Sequence, residues 1–122
     1  MNVRRFLRSF EYASIGLIDA FDQFNMWVHL AAAITTTAFA LWLQVNLLTW
    51  AVLVLTIGFV FALELINTAL ESLVDLVSPN YHPLAKRVKD VGAGAVLVAA
   101  ATAVLVGLLL LGPPLWARLV GN

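Results

Sequence analysis

Apolar residues along this chain fall into four blocks separated by short polar connections, and the periodicity differs from block to block. In residues 2–22, Val3, Leu7, Phe10, Leu17 and Phe21 recur at spacings near three and four, while Arg4, Arg8, Glu11 and Asp22 occupy other directions. This pattern predicts an amphipathic helix lying in a membrane interface, with Gly16 as a place where it could bend. Glu11, Asp19 and Asp22 interrupt the continuous apolar run that a secretory leader needs. Residues 26–44 carry no charge apart from a titratable His29, and Trp27 and Trp42 stand near the two ends as interfacial aromatics do. They predict a first membrane span, in which Thr35, Thr36 and Thr37 serve packing or bond back to carbonyls one turn earlier.

Gln44-Val45-Asn46 is a polar connection too short for anything but an antiparallel neighbour. Residues 49–77 predict a second helix of roughly 44 Å at 1.5 Å per residue, longer than a hydrocarbon core of about 30 Å. Its last turns therefore project into water. Ser78-Pro79-Asn80-Tyr81-His82-Pro83 reads as a turn, and residues 83–111 as a third span that begins outside the membrane and is ended by Gly112-Pro113-Pro114.

Composition agrees with this reading. The 122 residues are 62% hydrophobic and only 11% charged, with a mean hydropathy of +0.95. Soluble domains are about one quarter charged. The expected class is an all-α integral membrane protein of one domain, with three transmembrane helices and an amino-terminal surface helix. A net charge of zero conceals segregation, with Arg4, Arg5 and Arg8 at one end, and Lys86, Arg87 and Lys89 after the second span. Three spans place both clusters on one side, which the positive-inside rule makes cytoplasmic, amino terminus included. Membrane orientation accounts for these two small clusters, and nucleic acid is not an expected partner.

The second span carries the candidate chemistry. On a helix advancing 100° per residue, Asn67, Glu71 and Asp75 lie at about −60°, −20° and +20° from Glu64, one narrow polar stripe on an apolar helix. A charge in such a segment costs about 2.5 to 3.5 kcal/mol on insertion scales, so it faces protein or a wet cavity and marks a site. Two carboxylates seven residues apart suit a divalent cation, or a base beside a metal ligand. Lysines across the turn suit a phosphoryl group. No Walker A, kinase glycine-rich loop or HExxH sequence is present. A proton or ion path is the competing reading of intramembrane carboxylates. Gly92-Ala93-Gly94-Ala95 is expected to allow close helix packing, and His29 to be a packed interfacial residue.

The run Glu64-Leu-Ile-Asn67-Thr-Ala-Leu-Glu71-Ser-Leu-Val-Asp75, followed by His82-Pro-Leu-Ala-Lys86-Arg-Val-Lys89-Asp90 and Ala93-Gly94-Ala95-Val96-Leu97, resembles the small prokaryotic diacylglycerol kinase family. Within it, the chain is most similar to the undecaprenol kinase branch. The likeness extends to Arg5, Arg8-Ser9-Phe10, Tyr12-Ala13 and Gly16. It implies a homotrimer in the bacterial inner membrane, with composite sites between neighbours that phosphorylate a lipid alcohol from MgATP. The alcohol would be undecaprenol, or alternatively diacylglycerol. Glu64 would be the base, with Asn67 beside it at the lipid substrate. Glu71 would hold Mg²⁺, Lys89 and Asp90 would contact nucleotide, and Arg5, Tyr12, Asn80, Tyr81 and His82 would line its pocket. The family pattern Glu-Arg-Asn-Met-Lys-Ile-His supplies a second metal ligand before the first span. Here the run is Gln23-Phe24-Asn25-Met26-Trp27-Val28-His29, so Gln23 offers a neutral oxygen at that place, with Asp22 one residue away. A degenerate member acting as an accessory membrane subunit is the alternative that this departure motivates.

Overall fold

The computed structural model describes residues 2–121, which form four α-helices and no strand: α1 (Val3–Ala20), α2 (Phe24–Leu43), α3 (Leu47–Val77) and α4 (Pro83–Val120). The last three are long and apolar enough to cross a membrane. At 1.5 Å per residue, the 31 residues of α3 and 38 of α4 reach about 46 and 57 Å, well beyond a hydrocarbon core of about 30 Å. The chain is an all-helical membrane protein.

Local chemistry sets each boundary. Asn2 caps α1 by accepting from the Arg4 amide at 3.1 Å, and the helix runs unbroken through Gly16. Between α1 and α2, Phe21 O accepts from Trp27 Nε1 at 2.8 Å, and the two rings meet edge to face at 5.1 Å. This bond ties the connection to the first turn of α2. Gln44 ends α2 with a φ of 54°, in the left-handed region uncommon outside glycine. Its amide bonds back to the last turn. Asn46 then caps α3 by accepting from the Thr49 amide at 2.8 Å. At the far end, Pro79 blocks continuation of α3, and His82 caps α4 through Nδ1, which accepts from the Leu84 amide at 3.1 Å. Pro83 sits at the first position of α4, where its missing N–H has no intrahelical partner to lose.

α4 does not stop at Gly112-Pro113-Pro114 as the prolines predict; it continues to Val120. Gly112 has no Cβ to clash with the ring that follows, which lessens the usual bias of a pre-proline residue away from helix. The final turns also have a partner outside the helix, because the Arg118 guanidinium lies 4.9 Å from the centroid of the Trp42 ring on α2.

The closest packing is between α3 and α4, with α2 leaning on both. The buried residues form a thin seam of mostly small or medium side chains: Ala40, Leu53, Val60, Gly92, Val96 and Ala99, with Met26 and Ala20 at its edge. Small residues let helix backbones approach closely where no hydrophobic drive separates them from lipid. Most large apolar side chains face outward, including Leu55, Phe59, Leu97 and Leu109. Two polar residues lie in the seam, Glu64 and Asn67.

Candidate active site

The polar stripe of α3 points into the seam at one end and emerges from it at the other. Glu64 and Asn67 are 2% and 5% exposed, Glu71 is half-buried and Asp75 is exposed. The stripe thus runs from the apolar core towards the α3–α4 turn, and each member has a different environment.

Glu64 Oε2 is 3.0 Å from Nε2 of His29 on α2. An ionised carboxylate only accepts, so Nε2 carries the shared hydrogen. His29 also meets Phe61 edge to face at 6.3 Å. His29, expected to be a packed interfacial residue, is in the structure the partner of the buried carboxylate. A buried charge without such a partner is strongly unfavourable. One signal existed in the sequence: His29 lies 16 residues before Val45 and Glu64 lies 19 after it, so an antiparallel hairpin brings them within about one helical turn of the same level.

Asn67 Nδ2 donates to Glu71 Oε1 at 3.2 Å. Its Oδ1 is buried with no hydrogen-bond partner and stands against Gly92 of α4. Thr68 Oγ1 is likewise buried and unpaired. Nothing in the residue pattern announced either orphan, since both depend on how α4 covers α3.

Beyond Glu71 the stripe meets the cations. Lys89 Nζ donates to Asp75 Oδ1 at 2.6 Å across the turn, and Lys86 pairs with Asp90 one turn along α4. The hydrogen bond to Asp75 raises the Lys89 pKa above its ordinary 10.5; desolvation opposes this, and the charges of Asp75 and Glu71 add to it. Asp75, Asn80, Tyr81, His82, Lys86, Lys89 and Asp90 line a cavity of about 380 Å³ at this end of the bundle.

The structure therefore brings five of the expected nucleotide residues, Asn80, Tyr81, His82, Lys89 and Asp90, to one cavity. It does not bring Arg5, Tyr12 or Gln23 there. Arg5 and Tyr12 are exposed on α1, and Gln23 is the exposed N-cap of α2 with no capping bond from its side chain. Among the described residues no three His, Asp or Glu side chains converge as a metal site. Glu71 is a single half-buried carboxylate with Oε1 engaged by Asn67. That donor set fits a Mg²⁺ ion that takes one or two carboxylates from protein and its other ligands from phosphate and water.

A second cavity, about 430 Å³ and mainly apolar, with Thr35, Thr36 and Thr56 in its wall, lies along α2, α3 and α4; His29 and Phe61 line the end nearer the stripe, and Phe39, Leu53 and Leu111 the far end.

The sequence matches known proteins. The sequence pattern of the family described as prokaryotic diacylglycerol kinase matches residues 11–111. An undecaprenol kinase of Bacillus subtilis is 40% identical over 114 residues, which cover 93% of each chain. A diacylglycerol kinase of Synechocystis is 48% identical over 116 residues, spanning 93% of this chain and 66% of that one. A diacylglycerol kinase of Escherichia coli is 38% identical over 92 residues, 75% of this chain and 71% of its own.

Proposed function

We propose that this chain, which belongs to the prokaryotic diacylglycerol kinase family and is therefore a lipid kinase, transfers the γ-phosphoryl group of ATP to undecaprenol, with Glu64 as the base. One observation carries the reading: a buried carboxylate heads a polar stripe that runs down one helix to a cavity lined by lysines. A carboxylate at 2% exposure within an apolar span is costly to keep there and marks a site, and a membrane alcohol would approach it from the apolar side.

In the proposed reaction the lipid hydroxyl gives its proton to Glu64 as its oxygen attacks the γ-phosphorus. The bond from phosphorus to the β–γ bridging oxygen breaks, its electron pair leaves with ADP, and the proton passes from Glu64 to water. Lys89 and Lys86, whose present partners are Asp75 and Asp90, exchange those carboxylates for phosphate oxygens. Asn67 holds Glu71 in position. Glu71, with a second oxygen from Gln23, would hold Mg²⁺, which when bound neutralises phosphate charge.

Arg5, Tyr12 and Gln23 stand apart from the cavity of their own chain, and much of the apolar surface is uncovered. Both observations support a homotrimer, the state the resemblance implies, in which a neighbour's α1 and the start of its α2 complete the nucleotide site. The two basic clusters support an inner-membrane protein with a cytoplasmic amino terminus. Undecaprenol is preferred because the undecaprenol kinase relative matches over nearly its whole length; diacylglycerol is the second choice, from the relatives named for it.

The test is purified protein in detergent with ATP, Mg²⁺, and undecaprenol or diacylglycerol. Phosphorylated undecaprenol at the higher kcat/KM supports the assignment, and a preference for diacylglycerol moves it to the second choice. No product from any alcohol leaves the accessory-subunit reading. Glu64→Gln is expected to lose roughly 10² to 10⁴ in turnover with ATP binding intact.

A further inference from the structure

We infer that His29 is the positioning residue of the catalytic base, holding Glu64 by one oxygen so that the other receives the substrate proton. The inference rests on the assignment of Glu64 as base. Two observations carry it beyond that assignment. Nε2 of His29 lies 3.0 Å from Glu64 Oε2, among the described residues the one hydrogen bond that joins α2 to the stripe, and the side chains are 14% and 3% exposed. His29 also forms part of the wall of the apolar cavity along α2, α3 and α4. In that setting water is a scarce substitute donor, so an ionised Glu64 depends on the imidazole N–H.

The geometry divides the labour between the two oxygens. Oε2 is engaged by His29, which leaves Oε1 outside that bond. Edge-to-face contact with Phe61 restrains rotation of the imidazole. The residue thus does for a base what an orienting partner does for a metal ligand: it selects rotamer and tautomer, and removal of such a partner typically costs 10- to 100-fold. No other side chain on α2 hydrogen-bonds to the stripe among the described residues.

Reach distinguishes this role from simple packing. A glutamine at position 29 can place its amide Nε2 near the position of the imidazole Nε2, an asparagine falls short, and a leucine fills the space with no donor. Initial rates for purified His29→Gln, His29→Asn and His29→Leu are measured with undecaprenol and with diacylglycerol in mixed micelles, at varied ATP. We expect kcat to fall about 10- to 100-fold in the Leu and Asn variants, with the KM for ATP within about twofold, and to recover most of that loss in the Gln variant. The double variant His29→Leu with Glu64→Gln is expected to be no slower than Glu64→Gln alone, because one residue acts through the other.

Thermal unfolding in detergent accompanies each variant. Equal activity losses in the Gln and Leu variants, tracking lowered stability, would overturn the inference in favour of a packing role. Unchanged kcat in His29→Leu while Glu64→Gln is inactive would overturn it too, leaving the base assignment standing. Substantial turnover in Glu64→Gln would remove the base assignment itself, and this inference with it.

Discussion

The backbone of Gly92 in α4 lies against the side chain of Asn67 in α3 so closely that a Cβ at position 92 would overlap Asn67 Oδ1. Asn67 is buried and tied to Glu71, so it has little freedom to yield. The glycine is what allows the two helices to meet at the stripe.

Gly92→Ala should therefore turn Asn67 aside and release Glu71. Overpacking costs about 1–3 kcal/mol, while replacing a helical glycine by alanine returns up to about 1 kcal/mol. The net loss of stability therefore lies between zero and about 3 kcal/mol, and turnover should fall further than stability alone explains. Gly94→Ala is the matched control, because nothing lies within 4 Å of its Cβ position. It should be neutral or slightly stabilising. Unfolding midpoints and turnover of the pair in detergent decide the matter; equal behaviour would show that the contact with Asn67 has no consequence.

The ion pair of Lys89 with Asp75 makes a second prediction. Lys89 has a pKa raised above the ordinary 10.5 in the folded protein, mainly by its hydrogen bond to Asp75, so its charge is lost only as pH rises through that higher value. ATP affinity should accordingly show no decline attributable to Lys89 between about pH 8 and 10. Lys89→Gln should weaken ATP binding across that whole range. Asp75→Asn, which removes the competing carboxylate from an exposed pair, should lower the KM for ATP by about two- to fivefold. A rise in KM would instead mean that Asp75 holds Lys89 in its working position.

Gln23 stands where the resemblance expects a charged metal ligand. Hard cations respond strongly to carboxylate count, so the parent protein should need a high Mg²⁺ concentration. Gln23→Glu should lower the concentration for half-maximal activity. If that curve is unmoved while Asp22→Asn abolishes activity, the neighbouring aspartate is the ligand.

At the opposite end of α4, Trp42→Ala should loosen the turns after Pro114, since Arg118 loses its aromatic partner. The interaction is of order 0.5–1 kcal/mol at an exposed site. Hydrogen exchange at residues 115–120 should quicken with turnover unchanged; exchange at the parent rate would show that the helix continues without this contact.

How much of this was legible before folding differs from residue to residue. The helical character of the three long apolar segments and the angular stripe Glu64–Asn67–Glu71–Asp75 depend on the repeat of a single helix, a geometry every residue shares, so the pattern along the chain contains them. The turn before Pro83 is equally local, because Pro79 blocks the helix on one side and His82 caps the next one with its own ring. Local rules overreached at Gly112-Pro113-Pro114, where proline chemistry predicts an end and the helix continues beside Trp42. The partners of the stripe were beyond such rules. His29 and Glu64 are 35 residues apart, and which side chain of α2 meets Glu64 depends on the turn at Gln44 and on the rotation of each helix about its axis. That rotation is decided where Ala40, Gly92 and Ala99 let backbones approach. Periodicity determined which face of α3 is polar; only packing decided that one of its carboxylates is held by a histidine, another by an asparagine wedged against a glycine, and a third by a lysine in water, because contact between helices depends on shape at their seam.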